Sequence, residues 1–272
     1  MTGRPRPEID LMTDRAHSAR IYDYFLGGKT NYAADRAVGD AVIGIAPGIR
    51  NVARANRAFM HRTTHLLADH HGIRQFLDIG AGIPTPPNLH EIAQGIAPES
   101  RIVYVDNDPI VLAHARALMV GDPRGRTAYV EADVRRPRTI LEAPELVETF
   151  DRSRPIALSL FAVLHFIDDD EVAYGAVRQL VDALAPGSFV SLTSATSDFY
   201  GENAEEGLAA YRDGGVNVKP RSRAEIERFL SGLELLEPGL AMVHEWRGGT
   251  DLGTARSPDE NVVLYAAVAR KP

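Results

Sequence analysis

Gln75-Phe-Leu-Asp-Ile-Gly-Ala-Gly-Ile-Pro-Thr85 reads as a short apolar strand that runs into a glycine turn and then toward a proline-started helix. Glycines at Gly80 and Gly82 let a backbone approach a ligand closely, and a helix that follows such a turn is expected to offer free amides. A lone Gly-x-Gly would say little. The next apolar run ends in Val105-Asp106-Asn107-Asp108, with Asp106 placed 24 residues beyond Gly82. An acid at the tip of the second strand can take both hydroxyls of a ribose.

Outward from that stretch the chain alternates β-rich and helical runs. Strands are expected over 75–79, 101–105, 127–131, 156–161 and 188–193, and helices over 86–94, 109–119, 137–146 and 170–184. Repeated βα units of this kind form a parallel sheet covered on both faces. Ser222-Arg-Ala-Glu225 is a capping-box pattern that opens a further helix, which Gly232 closes, and strands over 241–245 and 262–269 follow as an antiparallel pair. The expected fold is α/β: a doubly wound, mostly parallel sheet of seven strands with an N-terminal helical cap. Residues 1–71 form the cap, reading as helices over 13–26, 31–45 (capped by Asn31) and 51–70, and residues 72–272 form the sheet domain.

Composition bounds the partners. The chain has 272 residues, 44% of them hydrophobic, enough for a real core. Its 30 Lys+Arg stand against 37 Asp+Glu, a net charge of −7, which argues against broad contact with a nucleic-acid backbone. The absence of cysteine removes disulfides, thiolate metal sites and cysteine nucleophiles. No long apolar run marks a membrane span, and Met1 to Pro7 is polar, so a soluble cytoplasmic protein is expected.

The glycine loop separates two kinds of ligand. A dinucleotide site expects a third glycine where this chain has Pro84-Thr85. Asp78-Ile-Gly-Ala-Gly82 instead resembles motif I of class I S-adenosylmethionine-dependent methyltransferases. Ser18-Ala-Arg-Ile-Tyr-Asp-Tyr-Phe-Leu-Gly-Gly-Lys-Thr-Asn-Tyr-Ala-Ala-Asp-Arg36, with motif I and Val105-Asp-Asn-Asp-Pro109, resembles an actinobacterial family of such enzymes, catalogued as a domain of unknown function, over almost the whole chain. The resemblance implies S-adenosyl-L-methionine as cofactor and S-adenosyl-L-homocysteine as product. It places Asp78, Gly80, Ala81 and Gly82 at the amino-acid moiety, and Asp106 with Asn107 at the ribose. Asp133, Val134 and Phe161 complete the set, Asp133 at the adenine amino group.

Methyl transfer from a sulfonium is an in-line displacement, and much of its catalysis comes from positioning and exclusion of water. A base is needed only where the acceptor must lose a proton. His165, after the fourth strand, is the base candidate. Ser18–Tyr32 is expected to form a lid, bringing Tyr22, Gly28 and Tyr32 to the cofactor, with the Gly27-Gly28 pair as hinge and aromatic rings near the sulfonium. The insert 197–220, with Phe199, Tyr200 and Tyr211, is expected to line the acceptor pocket. No metal is expected: Arg62 stands where a zinc helix with His61 and His65 would need Glu, and Asp168-Asp-Asp-Glu171 reads as a helix cap. A small-molecule acceptor fits the acidic balance. The rival readings are a non-catalytic sensor of the same cofactor pair, which would transfer no methyl group, and an NAD-dependent oxidoreductase, which would bind NAD.

Overall fold

Strand β1 (Gln75–Ile79) is buried along its whole length because it pairs in parallel on both sides, with β2 (Arg101–Asp106) and with β4 (Ala157–Phe161). The computed structural model describes residues 11–199, 203–247 and 264–272. Beyond β2 lies β3 (Arg126–Glu131), and beyond β4 lie β5 (Phe189–Ala195) and β8 (Leu264–Arg270), giving the order β3-β2-β1-β4-β5-β8 and then β6 (Glu234–Leu235). All pairings through β5 are parallel, whereas β8 runs antiparallel to β5. The short β7 (Ala241–Met242) also pairs with β8, which makes eight strands where the sequence predicts seven. β6 and β7 are two residues each, too short for any alternation to register. The connection between β7 and β8, including the expected loop 251–259, lies outside the described residues.

Period-two alternation sorts the sheet into two faces. Leu77, Ile79, Val103, Val105, Leu158 and Leu160 join the core beneath α6 (Pro137–Leu141), α7 (Pro144–Thr149) and α8 (Asp170–Asp182). Phe76, Ile102, Tyr104 and Ala157 face the other way, into a core shared with Phe59, Met60, Leu67 and Ala68 of α3 (Ile49–Asp69). Asp78 and Phe161 keep step with Phe76 and Ala157, so both lie on the α3 face. The predicted single helix over 137–146 is two, because Pro144 starts a second helix and disfavours helical backbone before it. The helix predicted from Pro86 begins at Leu89 (α4, Leu89–Ile96), where Asn88 and Glu91 close a capping box.

Two further helices, α1 (Ser18–Phe25) and α2 (Ala33–Ile45), build a small core of Ile21, Phe25, Val38 and Val42 with Ala53 of α3 and Val216. Tyr32, not Asn31, caps α2. Asp35 accepts from the Tyr32 amide at 2.8 Å, while Asn31 turns back to Asp23 and Gly28. Helix α9 (Ala204–Asp213) packs on α2, and α10 (Arg223–Arg228) opens with the expected Ser222/Glu225 box. Asp169 caps α8 as the acidic run suggested. Among the described residues, no helix is long and apolar enough to cross a membrane.

Candidate active site

The chain leaves β1 toward β2 and β3 on one side and returns to β4 and β5 on the other, so a crevice opens at the carboxyl ends of β1 and β4. The glycine loop lies there in left-handed conformation, with φ +77° at Gly80 and +68° at Gly82. Its amides are already used. Gly80 and Ala81 donate to the Val105 carbonyl at 2.8 and 3.1 Å, and Gly82 donates to Asp106 Oδ2 at 2.9 Å. The expectation of free amides is therefore corrected: the following helix starts only at Leu89, and the Thr85 amide is taken by Asn88 Oδ1. What the loop contributes is room. A Cβ on Gly80 would stand 2.9 Å from Val163 Cγ2, and its positive φ disfavours any side chain. Gly80→Ala is expected to lower stability by about 1–3 kcal/mol in denaturant titration; an unchanged midpoint would show that the loop has slack.

A cavity of about 110 Å³ fills the crevice. Asp78, Gly80, Ala81, Gly82, Asp106, Asn107 and Phe161 line it as the sequence predicts, and Tyr22 reaches it from α1. Asp106 is buried and anchors the second strand's tip, its Oδ1 accepting from the Asp108 amide at 2.9 Å. Burial pushes its carboxyl above the usual range, against the pull of those amides. Each oxygen keeps a further lone pair for a ligand hydroxyl. Asp78 accepts no hydrogen bond among the described residues; burial, with the Arg57 charge opposing and Asp106 adding, pushes its carboxyl up to about 7. Arg57, from α3, lines the same cavity and braces the loop by donating to the carbonyls of Thr85 and Pro87. The sequence offered no signal for Arg57, which sits on a helix far along the chain from the glycine loop.

A buried network forms the cavity's inner wall. Tyr22 donates to the Ala53 carbonyl at 2.9 Å and accepts from Asn56 Nδ2 at 2.9 Å, and Asn56 Oδ1 accepts from Thr193 Oγ1 at 2.7 Å. Thr193 Oγ1 in turn accepts from the Ala162 amide at 2.8 Å, holding a residue with φ +53°. Such backbone in a residue with a Cβ is held only by its surroundings. Ser18, Tyr22, Asn56, Ala162 and Phe166 border this cavity and also a second, larger one of about 570 Å³. The second chamber is walled by the α1–α3 core, by the turn after β4, and by Phe199, Leu208 and Tyr211 of the predicted insert. Tyr200 lies outside the described residues.

Other predicted contacts fall elsewhere. Asp133 is gripped by Arg135, whose Nε and amide both donate to its Oδ1, and it does not border the cavity; Val134 is buried in the core beneath α6. Arg135, two residues along, competes for the carboxylate expected at the adenine. Gly28 leaves clearance for Asp23, whose Oδ1 would stand 2.0 Å from a Cβ there, and Asp23 ties the loop through Thr30 and Asn31. The pair Gly27-Gly28 is thus a pinned turn. Tyr32 lies over Arg20, with 5.6 Å from the guanidinium to the ring centre. His165 does line the larger chamber, but its Nδ1 accepts from the Ala195 amide at 3.2 Å. Burial and the Arg221 charge hold its imidazole near a pKa of about 3, so it is a neutral ring with Nε2–H as donor and a poor proton acceptor. That geometry speaks against the base expected from the sequence.

The family profile described as S-adenosyl methyltransferase matches residues 4–272. The chain belongs to this S-adenosyl methyltransferase family. Its structure is similar to that of a DUF574 family protein from Streptomyces avermitilis, with 48% identity, a TM-score of 0.92, and coverage of 97% of this chain and 100% of that one. A candidate methyltransferase from Thermobifida fusca is 38% identical with a TM-score of 0.87, covering 98% of this chain and 99% of that one. The plantazolicin methyltransferase BpumL, solved with S-adenosylhomocysteine and a triazolic desmethylPZN analogue, shares the fold at 11% identity and a TM-score of 0.53, over 93% of this chain and 96% of that one. No curated protein matches the chain. The cofactor of this methyltransferase family is S-adenosylmethionine, and the residues present suit it. A buried carboxylate that accepts no hydrogen bond among the described residues, with a guanidinium in the same cavity, matches an amino-acid zwitterion, and the strand-tip acid matches a ribose.

Proposed function

We propose that the chain transfers a methyl group from S-adenosylmethionine to a small-molecule acceptor held in the larger chamber. The observation that carries this reading is the shared wall: five residues border both cavities, so a ligand in one meets a ligand in the other at Ser18, Tyr22 and Asn56. When bound, the cofactor supplies an electrophilic methyl group on a sulfonium. Asp78 takes its ammonium and Arg57 its carboxylate. Asp106 takes the ribose hydroxyls, held in place by the Gly82 and Asp108 amides. The Tyr22–Asn56–Thr193–Ala162 network fixes the wall through which the acceptor is presented, and fixed geometry of this kind is where a base-free displacement gains its rate.

Helix α1 covers the site. His17 and Arg20 reach Asp108, the cap of α5 (Pro109–Leu118), at 3.1 and 3.2 Å, and His17 and Ser18 border the smaller cavity. Asp108 stands two residues from the ribose acid, so the cover is fastened next to the group it shields. The resulting exclusion of water protects the sulfonium from side reaction.

Labelled-methyl transfer into a whole-cell extract tests the proposal. Label in products of low mass supports it; label in protein or nucleic acid only, or in nothing, overturns it, the last outcome favouring the sensor. The pH dependence of binding tests the Asp78 assignment. Its folded pKa lies above the ordinary value of 3.8, so its contribution to the stability of the ligand-free fold is present below about 4 and is lost as pH rises through about 7. An ammonium ligand needs the ionised form. Affinity for S-adenosylhomocysteine is therefore expected to rise by up to about tenfold per pH unit from pH 5 to 7 and to level off above. Asp78→Asn should flatten the profile; a flat wild-type profile would remove Asp78 from the ammonium.

A further inference from the structure

The larger chamber has a distinctive polarity. Among the described residues that line it there is no Asp, Glu, Lys or Arg, and its wall is aliphatic and aromatic: Ile21, Phe25, Val42, Val52, Phe166 and Leu264. Its volume of about 570 Å³ lies within the range of pockets that enclose a drug-sized molecule. Of the polar side chains in it that make no hydrogen bond among the described residues, Asn203 is exposed and Ser18 stands at the shared wall, which leaves the Tyr211 hydroxyl and His165 Nε2. Burial alone holds the Tyr211 phenol far above its ordinary pKa, so it stays protonated. The polar groups at the shared wall are different. Tyr22 and Asn56 are already engaged with each other, with Ala53 and with Thr193.

A charged acceptor would leave water for this apolar wall with no counter-charge among the described residues to meet it. A hydrocarbon would leave two donors unmet. An uncharged molecule with one or two acceptor atoms satisfies both conditions. We propose that the methyl acceptor is an uncharged, largely apolar molecule, bound through hydrogen bonds from Tyr211 and His165 Nε2, whose reacting atom is used without a protein base. This rests on the reading of the smaller cavity as the cofactor site. In the transfer, a lone pair of the acceptor atom forms the bond to the methyl carbon as the carbon–sulfur bond breaks and its pair returns to sulfur. The positive charge passes to the acceptor, and where its atom bears a proton, that proton leaves to water. The rings of Tyr22, Phe25, Phe166 and Tyr211 suit the transient cation.

The test uses four probes of one shape on the full chain: naphthalene-2-carboxamide, naphthalene-2-carboxylate, 2-(aminomethyl)naphthalene and 2-methylnaphthalene, titrated by calorimetry in the presence of S-adenosylhomocysteine. The neutral carboxamide is expected to bind at least tenfold more tightly than either ion. Gly207, on α9, lines the chamber, and a Cβ there meets only Ile45 Cγ2 at 3.8 Å, so Gly207→Leu starts from an uncrowded Cβ, adds bulk at the chamber and favours the helix. It should weaken the carboxamide at least tenfold and leave S-adenosylhomocysteine binding unchanged. Tyr211→Phe should weaken the carboxamide about threefold to tenfold and leave 2-methylnaphthalene unaffected. Equal or tighter binding of an ion, or full carboxamide affinity in Gly207→Leu, overturns the proposal while the cofactor reading stands. Failure of the wild type to bind S-adenosylhomocysteine overturns the cofactor reading and the acceptor role with it.

Discussion

Arg221→Met is expected to destabilise the protein by about 3–5 kcal/mol, lowering Tm by roughly 6–15 °C, although residue 221 touches neither proposed ligand. Arg221 is fully buried. Its Nη1 donates to the Leu164 carbonyl at 2.9 Å and its Nη2 to the Ile167 carbonyl at 2.8 Å, while Nε and Nη2 hold Asp170 Oδ1. These bonds close the turn that carries His165 and Phe166, both of which line the larger chamber. Methionine matches the length of the side chain but leaves the Ile167 carbonyl without a donor and the Leu164 carbonyl with the Ile167 amide alone, and a buried group left unpaired costs about 1–3 kcal/mol. Arg221→Lys can serve one carbonyl at a time and should recover less than half the loss. Thermal unfolding checks both; a shift under about 2 °C in the methionine variant would show that the turn is held by the packing of Leu164 and Ile167 alone.

Asp106→Ala is expected to cost about 1–3 kcal/mol of affinity for S-adenosylhomocysteine, roughly 10–100-fold in calorimetry. Two losses combine. The carboxylate holds the amides of Gly82 and Asp108, at 2.9 Å each, so its removal loosens both the glycine loop and the cap of α5. It also removes the acceptors proposed for the ribose. Asp106→Asn keeps the shape but not the contacts, because its single carbonyl oxygen can serve only one of the two amides while its NH₂ faces the other donor. The asparagine variant should therefore bind weakly as well, and full affinity in either variant would place the ribose elsewhere.

Sequence alone reveals those parts of the site whose residues are neighbours in the chain. β1 is legible because its apolar Phe76, Leu77 and Ile79 lead directly into the glycine turn, and Asp106 is legible because the strand-tip position is fixed by the βα unit that precedes it. The capping box at Ser222 and the cap at Asp169 are local and read correctly. Arg57 and Asn56 could not be read, because nothing local distinguishes them from other polar residues on the 21-residue helix α3. They acquire meaning only where α3 crosses the sheet beside Asp78 and Thr193. The chamber is assembled from α1, α2, α3, the turn after β4 and the insert, a juxtaposition no spacing encodes. Asp133 shows the opposite case: Arg135 was visible two residues away, and its ion pair competes with the ligand contact. His165 was placed correctly beside a cavity, but its tautomer depends on the Ala195 amide 30 residues on.

The central claim is that the crevice at the ends of β1 and β4 holds the cofactor with its sulfur facing the larger chamber. A crystal structure with S-adenosylhomocysteine tests it most directly. The ammonium is expected on Asp78, the ribose on Asp106, and the sulfur at the opening bordered by Ser18, Tyr22 and Asn56. A ligand whose sulfur is turned away from that opening, or one bound with Asp78 and Asp106 untouched, would contradict it.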